Sequence, residues 1–321
     1  MRDQVKKRAI VTGASSGIGK EISGVLVEMG YEVYGFGRSF SDEEPDQIDT
    51  KRDLTGKICT ENGTDAQNEE KGMLHRIVCD LLDTQELERQ IKQIRRQGGV
   101  QLLVNNAGVG YYGLHEELNT QKIQKLVRTN LEVPMVLTSL LLRDLKKCAG
   151  TIINISSVTA QLNNPHGCAY GATKAGLSSF SRSLFDEVRK YGVRVVTIQP
   201  DMTKTELYRN ADFAQGEEEA SYLLPEEIAE TVRDILYMRE GAVVTEITLR
   251  PQLVDVLPDA PYVDEAGQLR FLFQPFLDPG TGRREHIQRH FLPQNHKFAG
   301  VHPENVALAE LLPQQVADLA D

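Results

Sequence analysis

The chain has 321 residues, of which 40% are hydrophobic and 26% charged, so it can form one or two globular domains with a large core. Its formal net charge of −10 argues against a nucleic-acid-binding protein, because such proteins neutralise phosphates with clustered Lys and Arg. It contains neither the long apolar run of a membrane span nor the apolar core of a secretory signal. The four cysteines lack Cys-x-x-Cys spacing, which argues against a zinc site or a disulfide framework. We therefore expect a cytoplasmic protein with no nucleic-acid or membrane partner.

Short β-branched runs alternate with longer helical patterns from the N-terminus to about residue 257. The predicted strands are 9–11, 32–36, 76–79, 102–104, 151–155, 194–198 and 245–248, and the predicted helices are 18–29, 84–97, 120–147, 170–191 and 225–238. Several strands are continuous apolar runs, which is typical of a parallel sheet covered by helices on both faces. Strict β-α alternation therefore predicts an α/β protein with a doubly wound parallel sheet.

Two segments interrupt this alternation. Residues 41–74 are polar and acidic, which indicates an exposed insertion before the third strand. Residues 258–321 form an irregular, proline-punctuated C-terminal extension. We expect one domain over residues 1–257 and an extension that packs Phe271, Phe273 and Phe276 onto the body or onto a neighbouring subunit.

The extension also holds His286 and His290, whose i,i+4 spacing on a helix could clamp a metal ion. No Cys accompanies them, the segment is rich in Arg, and Pro293 interrupts it. We therefore predict no metal site.

A glycine-rich turn, residues 12–19, follows the first predicted strand and precedes an amphipathic helix. Three glycines at such a junction allow a tight turn, close approach of the backbone to a pyrophosphate, and close helix-strand packing. The helix N-terminus adds unpaired N–H groups and the positive end of the helix dipole. The context predicts a Rossmann-type dinucleotide-binding turn, with contacts from Gly13, Ser15, Ser16, Gly17, Ile18 and Gly19.

The end of the second predicted strand bears on the choice of cofactor. An acidic residue there would bond the ribose hydroxyl of NAD and repel a 2′-phosphate. This strand ends Gly35-Phe36-Gly37-Arg38-Ser39, without a carboxylate, and Arg38 can form a fork of charged hydrogen bonds to a phosphate. We predict that NADP(H) is preferred over NAD(H).

A candidate acid/base pair opens a long predicted helix. Tyr170 and Lys174 are four residues apart and so share one helix face. A nearby ammonium favours the phenolate, so we expect Lys174 to lower the pKa of Tyr170, as a general acid/base for a hydroxyl requires. Ser157 follows the strand 151–155, where it can donate to a substrate oxygen; Ser156 is the competing candidate, but the spacing favours Ser157.

These residues together resemble the short-chain dehydrogenase/reductase family over roughly residues 5–250. The shared motifs, in order, are the Thr-Gly-x-x-x-Gly-x-Gly turn, Asn-Asn-Ala-Gly at 105–108, a helix asparagine at Asn130, and the Ser157, Tyr170 and Lys174 triad. The resemblance implies an oxidoreductase in which Ser157 holds the carbonyl, Tyr170 donates the proton, and Lys174 binds the nicotinamide ribose.

The resemblance also implies further cofactor contacts. Asp80 and Leu81 resemble the pair that contacts the adenine, and the Asn-Asn-Ala-Gly segment, with Asn106, Ala107 and Gly108, lies beside the cofactor. Pro200 is a further family element, and Thr205 matches the position that contacts the nicotinamide carboxamide. Asp201 stands where the family usually has Gly, which departs from its backbone pattern.

Asn130 has a physical rationale as well. Pro134 lacks the N–H that would bond the Asn130 carbonyl in a regular helix. That carbonyl can then hold a water, which, as the resemblance suggests, relays protons from Lys174. A simple helix kink at Pro134 explains the pattern equally well.

Several polar and aromatic residues are candidates for the substrate pocket. We expect Tyr111, with Ser157 and Tyr170, to contact a secondary alcohol such as a hydroxy acid or hydroxysteroid, or its ketone. The pocket should also include Tyr112, residues 163–166 and residues 203–222. Residues 244–251 lack the Asp-Gly-Gly ending common in acyl-carrier ketoreductases, which lowers that option.

Two other classes compete with this oxidoreductase reading. A sugar-nucleotide epimerase is disfavoured by the three-residue gap between Gly13 and Gly17 and by a short C-terminus. A noncatalytic NADP(H) sensor is disfavoured because such proteins usually lose part of the four-residue set that this chain retains. The family also implies a homodimer or homotetramer formed through the long helices around Asn130 and after Tyr170.

Overall fold

The computed structural model describes residues 7–40, 72–209, 211 and 213–253, together with short strands at 256–258, 262–263 and 269–270. The chain divides into two compact units, residues 1–272 and 273–321, and the second unit lies wholly outside the described residues. The predictions made for most of the insertion, for Phe271, Phe273 and Phe276, and for His286 and His290 therefore concern residues outside the description.

Seven parallel strands form the central sheet, in the order β3-β2-β1-β4-β5-β6-β8. Crossover connections reverse direction between β1 and β4, which is where a doubly wound sheet opens its ligand crevice. The predicted doubly wound parallel sheet is confirmed. The strands are β1 Arg8–Thr12, β2 Glu32–Gly37, β3 Met73–Val78, β4 Leu102–Asn105, β5 Thr151–Ile155, β6 Arg194–Pro200 and β8 Glu246–Leu249.

Helices cover both faces of the sheet. They are α1 Gly17–Glu28, α2 Thr84–Gln97, α3 Thr120–Val127, α4 Val133–Lys147, α5 Cys168–Val188 and α6 Pro225–Tyr237. Local sequence sets where several of them begin. The Asp83 carboxylate accepts the Glu86 N–H at 3.1 Å and so caps α2, and Pro225 occupies the first turn of α6, where no backbone N–H is needed.

Two hydrophobic clusters lie on opposite faces of the sheet because successive strand residues point to opposite sides. In β1, Val11 faces the cluster that α1 and α6 cover, whereas Ile10 faces the cluster under α2, α4 and α5. Both side chains are fully buried. Burial on both faces explains why the strand sequences are continuously apolar.

The predicted helix 120–147 is not continuous. A π-helical turn, Arg128–Glu132, separates α3 from α4, and Pro134 lies in the first turn of α4. Because Pro134 has no N–H, the chain widens to i→i+5 bonding, with the Val133 N–H bonded to the Arg128 carbonyl. The expected interruption at Pro134 is thus a π turn.

The third strand also differs from its prediction: it begins at Met73, three residues before the predicted start, so Met73 and Leu74 belong to the sheet. Near the other end, β7 (Phe213–Gln215) pairs antiparallel with β9 (Val256–Pro258), and β10 (Tyr262–Val263) pairs with β11 (Leu269–Arg270). The chain that follows β8 therefore returns to the loop between β6 and α6. Among the described helices, none is long and apolar enough to cross a membrane.

Candidate active site

The glycine-rich turn has the backbone that its sequence predicts. Gly13 and Gly17 have φ values of +69° and +51°, in the left-handed region that favours glycine. A Cβ on Gly19 would collide with the Gly13 carbonyl and the Asn106 side chain. The turn therefore packs too closely for larger residues, and its backbone is open to a ligand in the cleft.

The N-terminus of α1 points into the same cleft. Ser16 is the N-cap residue and makes no side-chain capping bond, and within the described residues no acidic side chain occupies the first turn of this helix. Its unpaired N–H groups and positive dipole end are therefore available to phosphate oxygens.

Thr12 joins the glycine turn to the Asn-Asn-Ala-Gly segment. Its hydroxyl oxygen accepts the N–H groups of Asn106 and Ala107, both at 3.0 Å. The Asn106 amide donates to the Thr12 carbonyl at 2.9 Å. These bonds hold β1 and β4 together at the point where the sheet reverses direction. The motif included Thr12, but its positioning role depends on contacts that sequence spacing does not give.

One continuous cleft runs along this edge of the sheet. Every predicted cofactor residue except Gly19 lines it, as do Ser157, Tyr170, Lys174 and Tyr111, whereas Asn130 lies behind it. The lining includes Gly13, Ser15, Ser16, Gly17, Ile18, Arg38, Asp80, Leu81, Asn106, Ala107, Gly108, Pro200 and Thr205, and Gly19 lies directly beneath Gly13.

Arg38 follows β2 at the far end of the cleft. Its side chain is exposed, and the preceding Gly37 lies so close to the glycine turn that an added Cβ would come within 2.9 Å of the Ser15 Cβ. Asp80 lies on the neighbouring strand end, where its carboxylate accepts the Leu82 N–H at 3.0 Å. Arg38 thus places a positive charge in the part of the cleft next to the glycine turn.

At the other end of the cleft, Tyr170 and Lys174 are both buried, at 4% exposure each. Burial raises the pKa of Tyr170 to about 12, and the side chains of Ser157 and Tyr112 oppose this rise through hydrogen bonding. Burial also lowers the pKa of Lys174 to about 8. Tyr170 therefore keeps its proton at neutral pH, while most Lys174 side chains remain charged.

The predicted lowering of the Tyr170 pKa by Lys174 is not found. The Lys174 Nζ donates to the Ile155 carbonyl at 2.8 Å and lies 5.7 Å from the centre of the Tyr170 ring. Helix spacing places both groups on one face, as predicted, but desolvation outweighs the attraction between them.

The structure distinguishes the two neighbouring serines after β5. The Ser156 hydroxyl bonds the Lys174 carbonyl at 3.0 Å and the Ser178 hydroxyl at 2.9 Å, so it is used to hold α5. The Ser157 oxygen instead accepts from the Thr159 hydroxyl at 3.0 Å and lies beside the Tyr170 phenol. This arrangement supports Ser157 as the substrate contact.

Asn130 lies in the π turn, 1% exposed. Its amide makes a reciprocal pair of bonds with the Val109 backbone, at 2.9 and 3.0 Å, and also donates to the Thr173 hydroxyl at 3.2 Å. Thr173 in turn donates to the Tyr170 carbonyl at 2.7 Å. Asn130 thus ties the loop after β4 to the first turn of α5, and the predicted water relay through its carbonyl stays a prediction.

In the segment after β6, the backbone accommodates Asp201 at the position where the family usually has Gly. Asp201 needs no positive φ, so a side chain fits there without strain. Its carboxylate accepts the Met202 N–H at 2.9 Å and the Arg250 guanidinium at 3.0 Å. Thr205 packs its methyl group towards Gly17, which places this loop against the glycine turn.

An aromatic cluster covers Tyr170. Tyr112 lies with its ring centre 5.5 Å from Tyr170, 6.1 Å from Tyr208 and 5.0 Å from Phe213. Tyr111, the predicted substrate contact, lines the cleft nearby, with the Lys122 Nζ 5.8 Å from its ring centre. Tyr112 and the 203–222 loop were expected in this region, but their convergence on Tyr170 was not foreseen.

Comparison with known proteins identifies the family. Residues 7–215 match the model described as short chain dehydrogenase. The chain belongs to this family. As a short-chain dehydrogenase it is an oxidoreductase that acts on CH–OH groups, as predicted.

Relatives cover most of this short-chain dehydrogenase. The 3-oxoacyl-[acyl-carrier-protein] reductase of Vibrio cholerae is 32% identical over 255 residues, 76% of this chain and 94% of the relative. The solved alcohol dehydrogenase of the archaeon Thermococcus sibiricus, complexed with 5-hydroxy-NADP, has a TM-score of 0.62 and 26% identity over 77% of this chain and 97% of that one. A metagenomic short-chain oxidoreductase in complex with NADP has a TM-score of 0.58 and 25% identity over 77% and 98%.

Proposed function

We propose that this short-chain dehydrogenase is an NADP(H)-dependent oxidoreductase that interconverts a secondary alcohol and its carbonyl compound. The observation that carries the proposal is one continuous cleft, with the glycine turn and Arg38 at one end and Ser157, Tyr170 and Lys174 at the other. The tight glycine backbone and the uncapped helix N-terminus fit a dinucleotide pyrophosphate. When bound, the nicotinamide supplies or accepts the hydride.

Ser157, Tyr170 and Lys174, at the end of the cleft opposite Arg38, each have a separate role in the reaction. Ser157 donates to the substrate oxygen and fixes its position. Tyr170 holds its proton at neutral pH because burial raises its pKa to about 12, and gives that proton to the oxygen as negative charge develops there. Lys174 binds the ribose, and its buried positive charge stabilises the phenolate that proton transfer leaves behind.

Arg38 supports NADP(H) as the preferred cofactor. A charge-assisted hydrogen bond to a phosphate contributes about 1.5–3 kcal/mol, so Arg38→Asp should lower the NADPH/NADH ratio of kcat/KM by about 10- to 150-fold. Arg209→Asp is the matched control, because Arg209 is also exposed and lines the cleft beside Tyr208. The control should leave the ratio unchanged, and an unchanged ratio in Arg38→Asp would contradict the assignment.

The substrate class is tested with a panel of ketones, 3-oxo acids, steroids and aldehydes, followed by NADPH oxidation. Tyr170→Phe should lose about 10²- to 10⁴-fold in kcat while retaining NADPH affinity, because general acid catalysis contributes about that much. Turnover that survives this substitution would remove Tyr170 as the proton donor. Tight NADPH binding with no turnover of any panel member by the unaltered protein would favour the sensor.

A 3-oxoacyl thioester is the second candidate substrate, because the acyl-carrier-protein reductase of Vibrio cholerae matches over 94% of its own length. Adding acetoacetyl-coenzyme A to the panel tests it directly. Homodimer or homotetramer formation also stays a proposal, which light scattering after size-exclusion chromatography measures.

A further inference from the structure

The loop after β4 places the phenol of Tyr112 next to Tyr170, the proposed proton donor. Tyr112 reaches Tyr170 across the cleft, with ring centres 5.5 Å apart and the ring planes tilted by 49°. Tyr208 stacks on Tyr112 at 6.1 Å, and the edge of Phe213 meets it at 5.0 Å. Three chain segments thus converge on one ring.

The backbone leaves the Tyr112 ring little freedom. Gly110 packs against it so closely that an added Cβ would come within 2.6 Å of the ring. On the C-terminal side, the Gly113 N–H donates to the His166 carbonyl at 2.8 Å, and Gly113 has a φ of +123°. Fixed points on both sides of Tyr112 hold its side chain in this position.

We propose that Tyr112 is a positioning residue, whose ring is held between Tyr208 and Phe213 so that its hydroxyl donates to the Tyr170 phenol oxygen. The inference rests on the proposed role of Tyr170 as acid/base. A donor at that oxygen stabilises the phenolate that proton transfer produces, and it orients the Tyr170 hydroxyl towards the Ser157 side of the cleft.

Both phenols keep their protons at neutral pH, because burial raises the pKa of each. Burial raises the pKa of Tyr112, and its hydrogen bond to Tyr170 raises it further, whereas the same bond opposes the rise in the pKa of Tyr170. The other titratable groups around Tyr170 are Lys174 on its own helix and Tyr208 on the loop after β6. The negative charge of Asp201 contributes to the raised pKa of Tyr208.

Tyr112→Phe tests the proposal because it removes the hydroxyl and keeps the ring. We expect a fall in kcat of about fivefold, equivalent to about 1 kcal/mol, and a rise of about half to one unit in the pKa that governs kcat. NADPH affinity should be unchanged. Tyr191→Phe is the control, because it removes an exposed phenol that follows the C-terminal end of α5, outside the cleft; its pH profile should match that of the unaltered protein.

A readout without turnover separates this proposal from the proposed function. In protein labelled with 13Cζ-tyrosine, the Tyr170 resonance is the one missing from Tyr170→Phe. It should shift in Tyr112→Phe and stay in place in Tyr191→Phe, whether or not any substrate is turned over. An unmoved Tyr170 resonance in Tyr112→Phe, or equal shifts in both variants, would overturn the role of Tyr112 and leave the proposed function standing.

Discussion

Burial of the charged Lys174 side chain lowers the free energy of unfolding. Lys174→Met removes this desolvation cost, so the variant and the unaltered protein should differ in how their stability depends on pH. Burial lowers the pKa of Lys174 from 10.5 to about 8. At about 1.4 kcal/mol per pH unit, this difference destabilises the fold by about 3 kcal/mol at pH 7. The cost is fully present below about pH 8, falls as the pH rises from about 8 to about 10.5, and is absent above that, because both the folded and the unfolded chain have then released the proton.

The assay is urea unfolding of the unaltered protein and of Lys174→Met at pH 7.0 and 9.5. From the two pKa values, about 2 kcal/mol of the cost disappears between these pH values, so the unaltered protein should gain about 2 kcal/mol relative to the variant. The Ile155 carbonyl loses its donor in the variant, but this offset is the same at both pH values. Lys92→Met, at an exposed position on α2, should follow the unaltered protein. Parallel curves for Lys174→Met and the unaltered protein would refute the desolvation argument.

Two further predictions concern the packing around the cleft. Gly19→Ala places a methyl group on the Gly13 carbonyl, so we expect NADPH affinity measured by fluorescence titration to fall at least about tenfold; an unchanged Kd would show that the turn can open. Asn154→Ala removes the acceptor that the Asn105 amide uses at 2.8 Å inside the sheet. Urea unfolding should show a loss of about 1–3 kcal/mol, and a loss below about 0.5 kcal/mol would mean that the pair is replaced by other contacts.

The fold was accessible from sequence because its strands are buried on both faces. The continuous apolar runs at 151–155 and 194–198 are β5 and β6, and Thr84–Gln97 is α2 with the predicted bounds. The start of β3 was missed by three residues, because the acidic composition of the preceding segment hides the boundary. Strand edges depend on pairing with a neighbour, and composition does not report that pairing.

The site was partly accessible for a different reason. The positions of Ser157, Tyr170 and Lys174 follow from strand ends and from helix periodicity, which are local rules. The pKa of Tyr170 does not, because it depends on how much water the surrounding loops exclude. The contact between Tyr112 and Phe213 could not be predicted either, since it joins a loop residue to a short strand about a hundred positions further along the chain, and neither segment has a periodic pattern.

The number of residues in the π turn determines how α3 is oriented relative to α4. Deleting one residue within 128–132 would remove the extra residue of the π turn and rotate α3 by about 100° relative to α4. Leu126, now fully buried, would turn away from the core, and the Asn130 amide would leave the Val109 backbone. This stretch therefore tolerates exchange of residues far better than a change in their number.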